Sequence, residues 1–402
     1  MVWFTLAWLA IWTVQLTPIQ LLLPLQLDTQ SGHWIDGVVW SGLVLSAGGL
    51  AGIAAAPVAG RLSDRTRSRY GRRRPWAIGG SVLAALGLVL TGSAEGPLLV
   101  GAAWVVTSVG VSVASSALTA LIADQLDDQR GAASAAASSA QAVGVATIVL
   151  LGLSAGASYA VLACFILVIG TVTALLLPDP PLPHAAVLEF HARRDLIRPR
   201  VSSLVDPSFT RLLLSRFIVN VGNSFGTSLL LFFLLYGIMI PAADAENRLL
   251  ILIVIYTVFV VAASILVGMV TDRRGSRRFW TVIAALVQAC SGIIILISPN
   301  FTMTAVAAGV MGAGYGAYMA VSLALATDLL LDPDDHARDL SLVNSSANLG
   351  QLIGPLLGAG LVALVGGFWL LFAAAAVVSV LGAGLTLTVH PSRAVLRAPQ
   401  PD

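Results

Sequence analysis

The chain contains one loop sequence twice, first as Gly60-Arg61-Leu62-Ser63-Asp64-Arg65 and again as Gly268-Met269-Val270-Thr271-Asp272-Arg273. The copies are 208 residues apart, and the same shift without gaps places Asp124, Asp127 and Arg130 on Asp332, Asp335 and Arg338. Self-similarity at a fixed spacing is the sequence signature of a duplicated architecture. We therefore expect two structurally similar halves.

The composition indicates a membrane protein. Of 402 residues, 57% are hydrophobic and 10% are charged, and the mean hydropathy is +0.90. A soluble domain carries roughly 25% charged residues. This excludes a soluble enzyme, and no enzymatic activity is expected. The two cysteines, Cys164 and Cys290, lie in apolar runs and suggest neither a disulfide nor a metal site.

Twelve apolar runs follow one another along the chain, each long enough to cross a bilayer. They are residues 2–27, 36–60, 76–94, 97–123, 131–155, 158–177, 209–237, 249–271, 279–298, 301–327, 340–364 and 367–389. The first run is too long for the apolar region of a signal peptide, and no basic residue precedes it, so we predict a retained span. The predicted domains are an N-terminal six-helix half over 1–177, a cytoplasmic linker over 178–208, a C-terminal six-helix half over 209–389 and a cytoplasmic tail over 390–402.

The positions of the arginines predict the orientation, because cations collect on the cytoplasmic side of a membrane protein. The chain has 22 arginines and no lysine. With the N-terminus inside, all of them except Arg248 fall on or towards the cytoplasmic side. We therefore expect a multi-pass protein of the cell membrane, typically a bacterial inner membrane, with both termini in the cytoplasm.

The repeated loops carry a resemblance to a known family. Residues 60–65, with Gly71-Arg72-Arg73-Arg74-Pro75-Trp76, resemble the loop 2-3 signature of the major facilitator superfamily, and residues 268–273 resemble its weaker second copy. The longer stretch 57–76 is most similar to sucrose-type transporters and, less closely, to glycoside-pentoside-hexuronide cation symporters. The resemblance implies an all-α membrane protein with twelve transmembrane helices in two pseudo-symmetric halves, and a small-molecule substrate carried by rocking of the halves.

The resemblance also implies a latch between the halves on the cytoplasmic side. An aspartate near a helix N-terminus is favoured by the helix dipole, so Asp64 is expected to cap the eleventh helix near Ser341, and Asp272 the fifth near Ala132. Arg130 and Arg338 adjoin those helix starts and are natural ion-pair partners. The alternative is that these arginines only anchor the topology. The predicted latch residues are Gly60, Asp64, Arg65, Arg130, Gly268, Asp272, Arg273 and Arg338.

A substrate path is expected where polar side chains recur at helical spacing on apolar spans, because polar groups that face lipid are costly. In the superfamily, helices 1, 4, 7 and 10 line the central cavity, and Gln15 and Asn223 are mates under the 208-residue shift. The alternative is ordinary packing, especially for the aromatic residues. The predicted cavity residues are Trp12, Gln15, Asn220, Asn223, Tyr315, Tyr318, Asn348 and Gln351. The Gly354-Pro355 pair predicts close packing and a bend of the eleventh helix.

Charges inside the membrane are scarce. Asp28 is about 20 Å along a helix from Gln15, at the outer interface, and Asp328 lies at the end of the tenth run or one turn inside it; these are the candidate coupling residues. Gly52 and Ala56 stand where the cation symporters would carry sodium-binding carboxylates. We therefore expect a facilitator. Arg216, the one cation inside a span, either extends to the cytosol or binds an anionic substrate.

The function predicted from these features is secondary active or facilitative transport of a small neutral polar solute such as a sugar or glycoside. The alternative is an exporter of drug-like or natural-product molecules, and a sensor without transport is the least supported class. No phosphate-binding loop of the Gly-rich Lys-Ser/Thr kind exists, so ATP is not expected to drive transport. We expect no cofactor, no metal and no nucleic-acid partner, and a monomer in the lipid bilayer.

Overall fold

The computed structural model describes residues 2–66, 68, 71–123, 154–176, 206–329 and 336–390. The chain divides into two compact units, Met1–Pro199 and Arg200–Asp402. The division falls inside the segment predicted as the linker, most of which lies outside the described residues. The predicted domain boundaries and the cytoplasmic position of the linker stay predictions.

The described part of the first unit is helical. The helices are α1 (Val2–Thr17), α2 (Leu23–Gln30), α3 (Trp34–Arg65), α4 (Arg74–Ser93), α5 (Pro97–Ala123) and α6 (Ala155–Leu176). A single π-helical turn, Pro18–Leu22, joins α1 to α2, so the two form one span. The C-terminal end of this span is hydrogen-bonded to the end of α4 and to the residue that follows it, because Gln26 donates to the carbonyl of Thr91 at 2.9 Å and Gln30 to that of Ala94 at 3.0 Å.

The second unit is built in the same way. Its helices are α7 (Pro207–Ser228), α8 (Leu230–Phe232), α9 (Ala242–Arg274), α10 (Arg277–Ile297), α11 (Phe301–Asp328), α12 (His336–Val365) and α13 (Trp369–Leu387). The span that begins with α7 bends by 45° at Leu229, whose φ of −108° and ψ of 14° leave the helical region, and continues through α8 and a π-helical turn to Gly237.

Within the described residues, ten helices are long and apolar enough to cross a membrane, or eleven when the bent pair Pro207–Ser228 and Leu230–Gly237 counts as one span. Each of them matches one of the twelve predicted runs. The remaining run, 131–155, lies almost entirely outside the described residues. The prediction of an all-α membrane protein is confirmed. It could be made from the sequence because hydropathy determines which segments leave water.

The packing pattern repeats between the units. In the first, α3 and α4 both pack against α5, and in the second α9 and α10 both pack against α11. A Cβ on Gly48 would lie 2.4 Å from Cδ1 of Trp104, and one on Gly312 would lie 2.4 Å from the carbonyl oxygen of Tyr256. These two contacts are equivalent under the 208-residue shift, with the glycine on opposite helices of the pair. The duplication inferred from the loops thus extends to the helix contacts.

The Gly354-Pro355 pair on α12 lies at a close helix contact, as the sequence predicted. A Cβ on Gly354 would lie 2.4 Å from the Cβ of Ser224, so only glycine permits this approach of α12 to α7. Pro355 lies inside α12, which continues through it to Val365. The two helices α7 and α12, which carry four of the eight predicted cavity residues, are therefore in close contact within the second unit.

Candidate functional site

Helix α7 places its polar residues on one buried face. Arg216, Asn220 and Asn223 follow at i, i+4 and i+7 and are all buried. The helix begins at Pro207, with the Asp206 side chain accepting from the Ser208 N–H at 2.8 Å. Burial of three polar side chains on a membrane helix requires partners on its neighbours, and α9, α11 and α12 supply them.

Asn220 is the centre of the hydrogen-bond network. Its Oδ1 accepts from the Tyr315 hydroxyl at 3.0 Å and from Nε2 of Gln351 at 3.2 Å. Its Nδ2 donates to the carbonyl of Arg216 at 2.8 Å and to the sulfur of Met319 at 3.7 Å. An asparagine has two acceptor sites and two donors, so its capacity is filled within the protein. Asn220 orients its neighbours and has no hydrogen bond left for a solute.

Gln351 and Asn223 present open groups instead. Gln351 donates through Nε2 to Oδ1 of Asn220 and to the Tyr315 hydroxyl, the latter at 2.7 Å, so both of its Nε2 protons are used. Within the described structure its Oε1 accepts from no residue. Asn223 accepts through Oδ1 from the Tyr256 hydroxyl at 3.0 Å, while its Nδ2 donates to no residue of the described ranges. The network therefore offers one acceptor on α12 and two donors on α7.

Tyr256 is a site residue that sequence reasoning missed. Its ring stacks on that of Tyr315, with centroids 6.4 Å apart and an interplanar angle of 26°. The signal available in the sequence was a tyrosine in the middle of the very apolar run that became α9. We call the group Asn220, Asn223, Tyr256, Tyr315 and Gln351 the polar cluster. The structure thus brings together four of the eight predicted cavity residues and adds a fifth member.

Two other predicted cavity residues of this unit lie elsewhere. Tyr318 is fully buried, and its hydroxyl is 2.8 Å from that of Ser215, which also lies 2.8 Å from the Thr386 hydroxyl and donates to the carbonyl of Gly382. Tyr318 therefore packs towards α7 and α13, away from Tyr315. Asn348 is exposed, one turn before Gln351 on α12, and in the described structure it makes no hydrogen bond to the cluster.

Arg216 does not extend to the cytosol, so that interpretation of the sequence is wrong. Its side chain is 1% exposed. Nε donates to the carbonyl of Val343 at 3.3 Å, and Nη1 donates to the Ser322 hydroxyl. These contacts hold the guanidinium between α11 and α12, one turn from Asn220. Within the described residues, no carboxylate pairs with it.

The first unit has no comparable cluster among its described residues. Trp12 and Gln15 are half-buried on α1. The 208-residue shift places Tyr256 on Gly48 and Tyr315 on Thr107, whose hydroxyl donates to the carbonyl of Ala103 in its own helix at 3.0 Å. Within the described residues, the two tyrosines of the second unit therefore have no tyrosine counterpart in the first unit.

The latch stays a prediction. Arg130 lies outside the described residues, as do the side chains of Asp64, Arg65, Asp272 and Arg338, while Arg273 is exposed. Gly60 and Gly268 are also among the predicted latch residues, and no described atom would lie within 4 Å of a Cβ on either of them. In the described part of the chain these glycines border open space.

The two candidate coupling aspartates lie at helix ends. Asp328 is the last residue of α11, is 48% exposed, and pairs with Nη1 of Arg277 at 2.5 Å; this Arg277 nitrogen also donates to the carbonyl of Ala324 at 3.0 Å. Asp328 is therefore not buried one turn inside its span. Asp28 is half-buried near the end of α2. Asp328 is not part of the polar cluster.

Comparison with known proteins identifies one matching family model. The model described as Major Facilitator Superfamily matches residues 1–149, 41–243 and 217–402. A general alpha-glucoside permease of Schizosaccharomyces pombe is 47% identical over 53 residues, which are 13% of this chain and 10% of that protein. A sucrose transport protein, SUC4, of Arabidopsis thaliana is 36% identical over 55 residues, 14% of this chain and 11% of that one. The chain thus matches about a tenth of the length of these curated relatives.

Two solved structures share the fold over almost the whole chain. The nucleoside transporter NupG superposes with a TM-score of 0.74 at 11% identity, covering 96% of this chain and 99% of its own. A D-xylose-proton symporter superposes with a TM-score of 0.68 at 15% identity, covering 97% of both chains. At these identities the likeness establishes the fold alone.

Proposed function

The chain belongs to the Major Facilitator Superfamily, and from that premise we propose that it carries a small neutral polar solute, such as a sugar or glycoside, by alternating access. The observation that supports this most is the pair of open groups in the polar cluster. A hydroxyl both donates and accepts, so one sugar hydroxyl can donate to Oε1 of Gln351 while another accepts from Nδ2 of Asn223. The stacked tyrosines supply an apolar face beside them.

The relatives point to the same chemical class. The two curated relatives are named for an alpha-glucoside and for sucrose, and the two solved structures for a nucleoside and for D-xylose. All four solutes carry several hydroxyl groups on a ring. A site that offers both hydrogen-bond donors and acceptors suits such solutes, because leaving either kind unpaired on binding costs affinity.

The exporter remains the second candidate, and the polar cluster bears on the choice. A site for drug-like molecules is lined mostly by apolar and aromatic side chains with few polar groups. The polar cluster instead contains three amide and two phenol side chains. Each amide forms a hydrogen bond with another member of the cluster. This arrangement favours a polar solute.

We further propose the state of the protein in the cell. It acts in the cell membrane as a monomer with both termini in the cytoplasm, and neither ATP nor nucleic acid takes part. The latch residues Asp64, Arg65 and Arg130, with their second copies, hold the cytoplasmic side shut. Transport is facilitative, because the two candidate coupling aspartates lie at helix ends, where water keeps a carboxylate from sensing which side is open.

Binding of sugars to the purified protein tests this proposal. The protein is screened by thermal shift against glucose, xylose, sucrose, maltose and adenosine, and against amphiphilic drugs. A ligand at about 100 times its Kd stabilises the folded state by about 2.7 kcal/mol. Stabilisation by at least one hydroxylated solute, weakened in Asn223→Ala, is expected. Stabilisation by the drugs alone would overturn the proposal in favour of the exporter.

A further inference from the structure

Arg216 is a buried charge that the polar cluster does not use. Its guanidinium donates to one carbonyl and one hydroxyl, so Nη2 donates to no residue in the ranges that the structure describes. Ser322, the hydroxyl partner, is itself fully buried on α11. Arg216 lies one turn of α7 from Asn220 and two turns from Asn223, at the end of the same polar face.

A buried guanidinium needs a negative partner. Arginine remains charged at any physiological pH, so it cannot neutralise itself as a buried lysine or carboxyl group does. Taking such a charge out of water without a counter-charge is strongly unfavourable. A hydroxyl and a carbonyl supply partial charges only. The arrangement is therefore poised to accept an anion.

We propose that Arg216 and Ser322 bind an oxyanion, a carboxylate or a phosphate group. The oxyanion accepts from Nη1 and Nη2 in the parallel two-bond geometry that guanidinium groups favour. Ser322 then turns its hydroxyl from accepting an arginine proton to donating its own. The guanidinium keeps its Nε bond to Val343, which holds its plane in place.

The anion has two sources, either the transported solute itself or a free inorganic ion. Asn223 and Arg216 are seven residues apart, about 10 Å along α7, which is the length of one or two sugar rings. A solute with hydroxyl groups at one end and one negative charge at the other fits this spacing. The inference rests on the proposed function, and where the solute supplies the anion it changes that solute from a neutral to an anionic one.

The test compares glucose, glucose 6-phosphate and inorganic phosphate as ligands of the purified full-length protein. The variants are Arg216→Gln, Ser322→Ala and, as the matched control, Arg211→Gln. Arg211 lies on the same helix, is exposed, and donates to the carbonyl of Thr388 at 3.0 Å. Wild type and the control are expected to bind glucose 6-phosphate at least about tenfold more tightly than glucose, since a charged hydrogen-bond pair contributes that much. Arg216→Gln loses this preference, and Ser322→Ala reduces it.

The outcomes separate the two sources and the two proposals. If inorganic phosphate alone stabilises the wild type, and Arg216→Gln abolishes that, the site takes a free anion. If wild type binds glucose as tightly as glucose 6-phosphate and ignores inorganic phosphate, the oxyanion site is overturned while the proposed function stands. If no compound binds, both are overturned for this solute class. Should Arg216→Gln fail to fold, the wild-type comparison and Ser322→Ala carry the test.

Discussion

Substitution of Asn220 is predicted to lower mainly the stability of the protein and substitution of Asn223 mainly its binding of the solute, although the two residues lie one turn apart on α7. Asn220→Ala removes four hydrogen bonds, to Tyr315, Gln351, the Arg216 carbonyl and Met319. Three of these bonds join α7 to other helices, and hydrogen bonds between membrane helices contribute about 0.6 kcal/mol each, so we expect a loss of about 2 kcal/mol in the free energy of unfolding. Asn223→Ala removes one such bond, from Tyr256, and is expected to cost about 0.6 kcal/mol.

The loss of binding affinity is expected to follow the reverse order, since Asn223 contacts the solute directly and Asn220 does not. Asn223→Ala removes both donors that face the solute, which should weaken binding by about tenfold. Both quantities are measurable on the same samples, by SDS-induced unfolding in mixed micelles and by ligand titration. Thr227→Ala is the matched control, because the side chain of Thr227 donates to the carbonyl of Asn223 in its own helix at 3.1 Å and to no other described residue. A larger stability loss for Asn223→Ala than for Asn220→Ala would refute the division of roles.

Three further predictions address the fold, the latch and the energetics. Gly312→Ala should destabilise the protein by about 1–3 kcal/mol and weaken sugar binding, since the new Cβ would meet the Tyr256 carbonyl. Gly384→Ala should do neither, because no described atom lies within 4 Å of a Cβ at that position. Unchanged unfolding and binding in Gly312→Ala would contradict the packing argument. Asp64→Asn should slow transport and leave solute binding intact, because the Asp64 charge stabilises one of the two conformations over the other. Turnover equal to that of the wild type in proteoliposomes would refute the latch hypothesis. Asp328→Asn should leave counterflow unchanged with or without a pH gradient, because that carboxylate pairs with Arg277 at the surface. If a pH gradient changes counterflow in the wild type and not in Asp328→Asn, this residue takes part in coupling.

Much of the fold follows from the sequence because the bilayer acts on each segment locally. A run of about 20 apolar residues leaves water whatever surrounds it, so the helix positions need no tertiary information. The polar face of α7 is predictable for the same reason, since i, i+4 and i+7 share one side of a helix. The duplicated loops then relate the two halves.

The site contacts that sequence reasoning missed depend on distant residues. Tyr256 enters the polar cluster only because α9 packs against α11 through Gly312, which no local pattern reveals. Tyr315 and Tyr318 are three residues apart, a spacing that suggests one shared side, but Ser215 and Thr386 draw Tyr318 towards α13.

Arg216 shows the limit of a single-helix argument. One of the two interpretations of the sequence was that Arg216 extends to the cytosol, as long cationic side chains near helix ends commonly do. The structure instead covers it with Ser322 of α11 and the Val343 carbonyl of α12. Which neighbour covers a side chain is a property of the packed unit and is absent from the helix that carries it.

Counterflow of a labelled sugar in proteoliposomes tests the central claim most directly. Vesicles that contain the purified protein and an unlabelled sugar identified by binding are diluted into the labelled sugar, without a proton or sodium gradient. We predict transient uptake that saturates with sugar concentration, falls strongly in Asn223→Ala and Gln351→Ala, and persists in Thr227→Ala. Uptake equal to that of protein-free vesicles, or uptake that both cluster variants leave unchanged, would contradict transport through the polar cluster.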